Sequence, residues 1–166
     1  MSAKTEKPGV GILMGSKSDL QVVEKASGVL KEFGVPYRMH VSSAHRTHSK
    51  TMSLVASLEK EGVEVFIACA GGAAHLPGVV AALTNLPVIG IPAGGTAFSG
   101  MDSLLSIVQM PKGMPVATVA VNGAANAALL AVQILSLKDG ELRKKYAEYR
   151  DAMKDRIEKD DRSIQE

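Results

Sequence analysis

The chain has 166 residues, the size of one domain, and its 46% hydrophobic against 22% charged composition excludes disorder over most of that length. Its 19 basic and 17 acidic side chains leave a net charge of +2 and are mixed along the chain, so nothing calls for nucleic acid or an anionic membrane as partner. One cysteine, Cys69, excludes an internal disulfide or cysteine metal cluster and suits a reducing cytoplasm; no apolar run reaches the ~18 residues of a membrane span, and residues 1–9 are polar rather than signal-like.

Residues 10–14, Val-Gly-Ile-Leu-Met, predict a short buried strand ending at Gly15. Ser18 or Asp19 is placed to cap a helix whose apolar residues Leu20, Val23, Ala26, Leu30 and Phe33 recur at helical spacing, closed by Gly34. A second strand is expected over 36–41, and a helix over 47–61 with Met52, Val55 and Leu58 inward and Gly62 at its end. Residues 63–70 form an uninterrupted apolar strand, followed by Gly71-Gly72 and a helix over 76–83. Strands over 87–92 and 116–121 flank a helix over 101–110, and the Ala-rich residues 124–137 predict another. Beyond Glu141 the composition turns charged, yet Leu142, Tyr146, Tyr149, Met153 and Ile157 keep three- and four-residue spacing. That is an amphipathic helix over about 139–159, with a polar tail after Lys159.

Apolar strands separated by helices indicate a parallel sheet covered on both faces. The expected architecture is an α/β three-layer αβα sandwich, doubly wound, with a C-terminal helical extension. No internal repeat or linker divides it, so residues 1–166 are expected to form a single domain with its core over about 9–137.

Chemistry in such a sheet gathers in the turns at the carboxyl ends of the strands. Three turns qualify: Gly15-Ser16-Lys17-Ser18-Asp19, Ser42-Ser43-Ala44-His45-Arg46-Thr47 and Ala70-Gly71-Gly72-Ala73-Ala74-His75-Leu76-Pro77-Gly78. The first is no P-loop, because Ser16 separates Gly15 from Lys17, and no Gly-x-Gly-x-x-Gly follows the first strand to mark a dinucleotide. Its small residues and hydroxyls favour a phosphorylated ligand at exposed backbone amides, though a plain capped turn explains the same pattern.

The four histidines are not equivalent. His40 falls in a strand and His48 just inside a helix, where structural and solvated roles suffice. His45 sits in a strand-to-helix turn among Ser43, Ala44 and Arg46, where imidazole, which titrates near neutrality, can pass a proton. Arg46 offers a planar fork for phosphate or carboxylate. His75 suits either a site or hydrogen bonding within its own loop. No carboxylate or cysteine stands at ligand spacing from either histidine, so no metal site is expected.

The segments Met14-Gly15-Ser16-Lys17-Ser18-Asp19, Ser43-Ala44-His45-Arg46-Thr47, Ala70 to Gly78, Asp102-Ser103-Leu104-Leu105-Ser106-Ile107-Val108-Gln109-Met110-Pro111 and Asn126-Ala127-Ala128-Leu129-Leu130-Ala131 together resemble the PurE family. Five segments in the same order span about residues 10–137. The resemblance implies a flavodoxin-like form of the sandwich, an enzyme of purine biosynthesis, and a carboxyaminoimidazole ribonucleotide whose carboxylate moves from N5 to ring carbon C4. It implies His45 as the general acid/base. It further implies Ser16, Ser18, Asp19, Ser43 and Arg46 around ribose and 5′-phosphate, with Ala70, Gly71, Gly72, Ala73, His75 and Leu76 around the base and released CO2, and Ala44 among the substrate-binding residues. No metal, biotin or ATP is implied, and the working form would be a cytoplasmic homo-oligomer, an octamer. His48-Ser49, residues 93–96 and residues 122–125 depart from the family's usual pattern at the rim of the pocket. Two other readings stay open. One is an aminoimidazole ribonucleotide carboxylase using free CO2, against which Arg46 and Ala73-Ala74-His75 speak. The other is a non-catalytic module binding a flavin or receiving a phosphoryl group, against which the scarcity of aromatic residues and strand-end carboxylates speaks.

Overall fold

The computed structural model describes residues 7–165, so most of the polar N-terminal stretch lies outside the described residues. Five parallel strands, β1 (Val10–Met14), β2 (Tyr37–Val41), β3 (Val65–Gly71), β4 (Val88–Ala93) and β5 (Ala117–Thr118), lie in the order β2-β1-β3-β4-β5. The order reverses between β1 and β3, and the crevice beyond the carboxyl ends there is where such sheets bind ligands.

Side-chain alternation along β3 builds both cores. Val65, Ile67 and Cys69 point to one face, into a core with Val23, Leu30 and Phe33 of helix α1 (Leu20–Phe33) and Ala127, Ala131 and Leu135 of α5 (Ala124–Leu135). Phe66, Ala68 and Ala70 point to the other. There they meet Val55 and Leu58 of α2 (His48–Glu61), Leu76 and Val80 of α3 (Leu76–Leu83), and Ile107 of α4 (Met101–Val108). The three-layer doubly wound sandwich expected from the sequence is therefore present. α1 stops where Gly34 takes φ +71° and its N–H donates back to the Leu30 and Lys31 carbonyls. At Gly90, in mid-β4, a Cβ would fall 2.5 Å from Ile107 Cγ2, so the absent side chain lets α4 press onto the sheet.

Four local expectations are corrected. Asp19 stands at the N-cap of α1, one of the two positions expected, but its side chain makes no capping hydrogen bond there. Ser16 is the capping residue, its Oγ accepting from the Ser18 N–H, and it caps a 3-10 turn over Lys17–Asp19 that leads into the helix. The last strand shrinks from the expected 116–121 to Ala117–Thr118. Beyond it the Val119 N–H still reaches the Gly90 carbonyl at 3.1 Å, but the chain then turns through Asn122 at φ +57°. β2, at the sheet edge, is half-buried rather than apolar on both faces. The C-terminal helix, α6 (Gly140–Ser163), continues through the expected polar tail, capped by Asp139 Oδ1 accepting from the Leu142 N–H at 3.0 Å. Its first half folds back on its own chain: Tyr149 and Tyr146 tilt against Phe33 with ring centroids 5.4 and 6.2 Å apart.

Candidate active site

Each strand end contributes a turn whose shape is set by short-range hydrogen bonds. After β1, the Gly15 N–H donates to the Cys69 carbonyl at 3.1 Å, tying the turn to β3. Asp19 Oδ2 accepts from the Ser16 N–H at 3.1 Å while Ser16 Oγ accepts from the Ser18 N–H at 3.2 Å, a reciprocal capping box. After β2, buried Ser42 shares a 2.8 Å bond with Thr51 of α2. Thr47 Oγ1 accepts from the Ser43 N–H at 2.9 Å and donates to the Ser43 carbonyl at 3.1 Å. These bonds close residues 43–47 into a tight loop with His45 and Arg46 outward.

Arg46 turns toward the first loop. Its guanidinium donates to the Gly15 carbonyl at 3.3 Å and lies 3.4 Å from Ser43 Oγ. Asp19 faces the same charge. Burial nevertheless raises its carboxyl above the ordinary value, outweighing the lowering by the Ser16 N–H, the Ser18 hydroxyl and the Arg46 charge. Beneath the loops, Cys69 is fully buried, and burial, reinforced by Asp19, pushes its thiol up to about 12. It is a packing residue, not a nucleophile.

After β3, Gly72 takes φ +63°, and the chain then enters α3 with His75 at the N-cap and Pro77 in the first turn. Here the sequence left His75 with two roles, and the structure separates them. Its Nδ1 lies 2.8 Å from His45 Nε2, with the rings edge to face. One imidazole must donate and the other accept, so the pair holds that bond only while at least one ring is neutral.

All thirteen residues nominated from the sequence, namely Ser16, Ser18, Asp19, Ser43, Ala44, His45, Arg46, Ala70, Gly71, Gly72, Ala73, His75 and Leu76, line one cavity of about 580 Å³ at the carboxyl ends of β1, β2, β3 and β4. A larger hollow of about 740 Å³ opens at the opposite end of the sheet, around Glu59 and residues 83–86 and 113–115. Its lining includes no histidine and no strand-exit turn, so the smaller cavity is the candidate site. Among the described residues no three His, Cys, Asp or Glu side chains converge as metal ligands.

Sequence reasoning noticed the exit of β4 only as a departure at the rim, but Ala93, Gly94, Gly95 and Thr96 form a full wall of the cavity. That wall is braced from elsewhere. Asn122 Oδ1 accepts from the Gly94 N–H at 2.8 Å, and Thr96 Oγ1 donates to Asp102 at 2.6 Å and accepts from the Gly100 N–H at 3.1 Å. The Thr96 hydroxyl is the main reason the Asp102 carboxyl sits below its ordinary range. Ser103, fully buried in α4, bonds both Gly72 and Ala93. The motif from Asp102 to Pro111 is the available signal in the sequence, but no local pattern assigns its hydroxyls a partner thirty residues away.

The comparisons agree with this geometry. The sequence model of the AIR carboxylase family matches residues 9–156. A Pyrococcus horikoshii protein named N5-carboxyaminoimidazole ribonucleotide mutase is 53% identical over 100% of this chain and 94% of its own. A Saccharomyces cerevisiae phosphoribosylaminoimidazole carboxylase is 54% identical over 86% of this chain, which corresponds to 25% of that longer protein. Among solved structures, Treponema denticola PurE superposes with a TM-score of 0.89 at 34% identity, over 96% of this chain and 99% of the other. With the match running from β1 into α6, this chain belongs to the AIR carboxylase family.

Proposed function

We propose that this chain is an isomerase of purine biosynthesis, a mutase that converts N5-carboxyaminoimidazole ribonucleotide into 4-carboxy-5-aminoimidazole ribonucleotide. The observation that carries the reading is the His45–His75 pair, 2.8 Å apart, on a cavity with a hydroxyl- and arginine-bearing side and an alanine- and glycine-bearing side. The full-length match to a relative bearing the mutase name supports it.

The reaction balances without a co-reactant. A proton carried by His45 moves to N5 as the N5–carboxylate bond breaks, giving CO2 and the neutral amine; C4 then attacks the CO2, and the C4 proton returns to His45 as the ring regains aromaticity. Ser16, Ser18, Asp19, Ser43 and Arg46 hold ribose and 5′-phosphate, Arg46 through charge-assisted hydrogen bonds. Ala44, Ala70, Gly71, Gly72, Ala73 and Leu76 bring small side chains and backbone up to the flat heterocycle, leaving little room for water. Confinement matters because escaped CO2 must be recaptured in a bimolecular step, whereas CO2 held against C4 keeps the effective-molarity advantage. His45 takes the C4 proton, and its bond to His75 fixes the ring's orientation and tautomer.

A carboxylase using free CO2 is the second reading, favoured by the yeast relative's name. Purified protein given N5-carboxyaminoimidazole ribonucleotide is expected to form product at a rate independent of added bicarbonate. A strict requirement for CO2 would transfer the assignment to the carboxylase.

The chain acts as one functional unit over residues 1–166, in the cytoplasm, as a homo-oligomer and by resemblance an octamer. Two exposed apolar stripes support association. Met101, Leu105 and Val108 share one face of α4, and Met153 and Ile157, 45% and 68% exposed, extend α6 beyond its contact with Phe33. Light scattering of the full chain at micromolar concentration is expected to report a multimer. Truncation after Arg150, which keeps the Phe33 contacts, should shift it toward smaller species. A full-length monomer at that concentration would remove the oligomer from the proposal.

A further inference from the structure

Along the β3–β4 ladder the Phe66 N–H donates to the Pro87 carbonyl at 2.9 Å, and Gly71 lies opposite Ala93 in the last register pair. A parallel ladder repeats every second residue, so its next rung past the strand ends would join the Gly72 N–H to the Ala93 carbonyl. At that rung a side chain stands between them. The Gly72 N–H donates to Ser103 Oγ at 3.0 Å, and Ser103 Oγ donates to the Ala93 carbonyl at 2.8 Å. Ser103 is 0% exposed, and both backbone groups belong to residues lining the cavity.

We infer that Ser103 is a positioning residue: its hydroxyl is wedged into the terminal rung of the sheet and holds the two small-residue walls of the cavity apart at the spacing that retains CO2 against the base. Two hydrogen bonds in series separate the backbone N and O by on the order of 5 Å, where a direct rung would draw them to about 2.9 Å. Without the hydroxyl the rung either closes directly, narrowing the crevice, or leaves a buried N–H and carbonyl unpaired, which loosens the Gly72 turn. Both outcomes move the wall around the base. Neither touches Arg46 or the Ser16 turn on the other side. A hydroxyl fits this position because it donates and accepts through one atom while adding little bulk.

The inference rests on the mutase reading, and its test is the partition of products rather than the rate alone. N5-Carboxyaminoimidazole ribonucleotide is supplied to each enzyme. The 4-carboxy product and the aminoimidazole ribonucleotide left when CO2 escapes are then quantified above the enzyme-free background. Their ratio is independent of how much of a variant is folded. Ser103→Ala is expected to raise the escaped fraction at least fivefold with KM within about threefold of the parent. Ser27→Ala removes a buried hydroxyl that donates at 2.9 Å to the Glu24 carbonyl within α1, away from the cavity lining, and it should leave the partition unchanged. If Ser103→Ala turns over too slowly or folds too poorly to read, Ser103→Cys, a longer and weaker bridge, is expected to shift the partition in the same direction. An unchanged partition in whichever Ser103 variant turns over overturns the inference. A parent enzyme that makes no 4-carboxy product refutes the mutase reading instead.

Discussion

The two sides of the cavity are built on opposite principles. The β1–β2 side is made of side chains: Ser16, Ser18, Asp19, Ser43 and Arg46 present hydroxyls and charges, and their mutual bonds lie within a few residues, except for Arg46 reaching the Gly15 carbonyl. The β3–β4 side is made of backbone. Gly71, Gly72, Ala73 and Gly94 present almost nothing but peptide groups, held by Ser103 and Asn122 from distant segments. Side chains suit an anion that must be gripped. Backbone suits a flat ring and CO2 that must be approached closely. The His45–His75 bond joins the two sides.

The largest test strikes that junction. His45→Asn keeps a polar side chain of similar reach but cannot shuttle a proton, and turnover is expected to fall by about 10² or more with nucleotide affinity largely retained. Steady-state rates beside equilibrium binding decide it; near-full turnover would take His45 out of the mechanism.

Next comes the gripping side. Arg46→Ala removes charge-assisted hydrogen bonds, and nucleotide binding should weaken roughly tenfold or more. A dephosphorylated analogue should lose far less. Equal losses for both ligands, measured by calorimetry, would show that Arg46 does not hold the phosphate.

On the backbone side, Gly72→Ala tests the turn alone. A Cβ there meets nothing within 4 Å, so only the φ of +63° opposes it. The expected loss is about 1 kcal/mol of stability in urea unfolding. A loss several times larger would mean that packing, not backbone conformation, requires the glycine.

Asp19→Asn should give the smallest effect, and its sign is informative. Burial raises the Asp19 carboxyl above its ordinary value of 3.8, so folding favours the protonated form. That contribution to stability is present below the ordinary value and is lost as pH rises through the raised folded value. At pH 7 the carboxylate is therefore a mild liability to the fold. The neutral amide, whose oxygen can still accept from the Ser16 N–H, should match or slightly exceed the parent's Tm, with the gap closing as the pH falls below the usual carboxylate range. Thermal melts across pH 3–7 are the measurement. A markedly lower Tm for Asp19→Asn at pH 7 would show that the Ser16 and Ser18 hydrogen bonds and the Arg46 attraction together outweigh burial.

The same contrast explains what could be read before the structure was known. Local signals are strong where neighbours in sequence do the work. Apolar periodicity marks α1, Gly34 ends it, and a histidine and arginine flanked by small residues mark the turn after β2. The β1–β2 side belongs to this class, which is why Ser16, Asp19, Ser43 and Arg46 could be nominated as lining residues. The side-chain cap sits at Ser16, ahead of the Asp19 N-cap position, and was not legible because Ser16, Ser18 and Asp19 are equivalent as types. Only the reciprocal bonds between Ser16 and Asp19 choose among them. The last strand was overextended for a related reason: an apolar run states preference, while pairing at a sheet edge depends on where β4 ends and Asn122 turns.

Composition, periodicity and turn residues by themselves therefore determine the strand–helix alternation and the doubly wound layers and nominate residues of the β1–β2 side, because those depend on interactions a few positions apart. The choice of His75 as partner for His45, the recruitment of residues 93–96 as a wall and the insertion of Ser103 between Gly72 and Ala93 were decided only in three dimensions. Each joins atoms 10 to 31 residues apart, or sets an opening between strand ends that no one segment encodes. Hydrogen bonds are short-range, and which distant groups come within 3 Å is settled only when the whole sheet and its helices have packed.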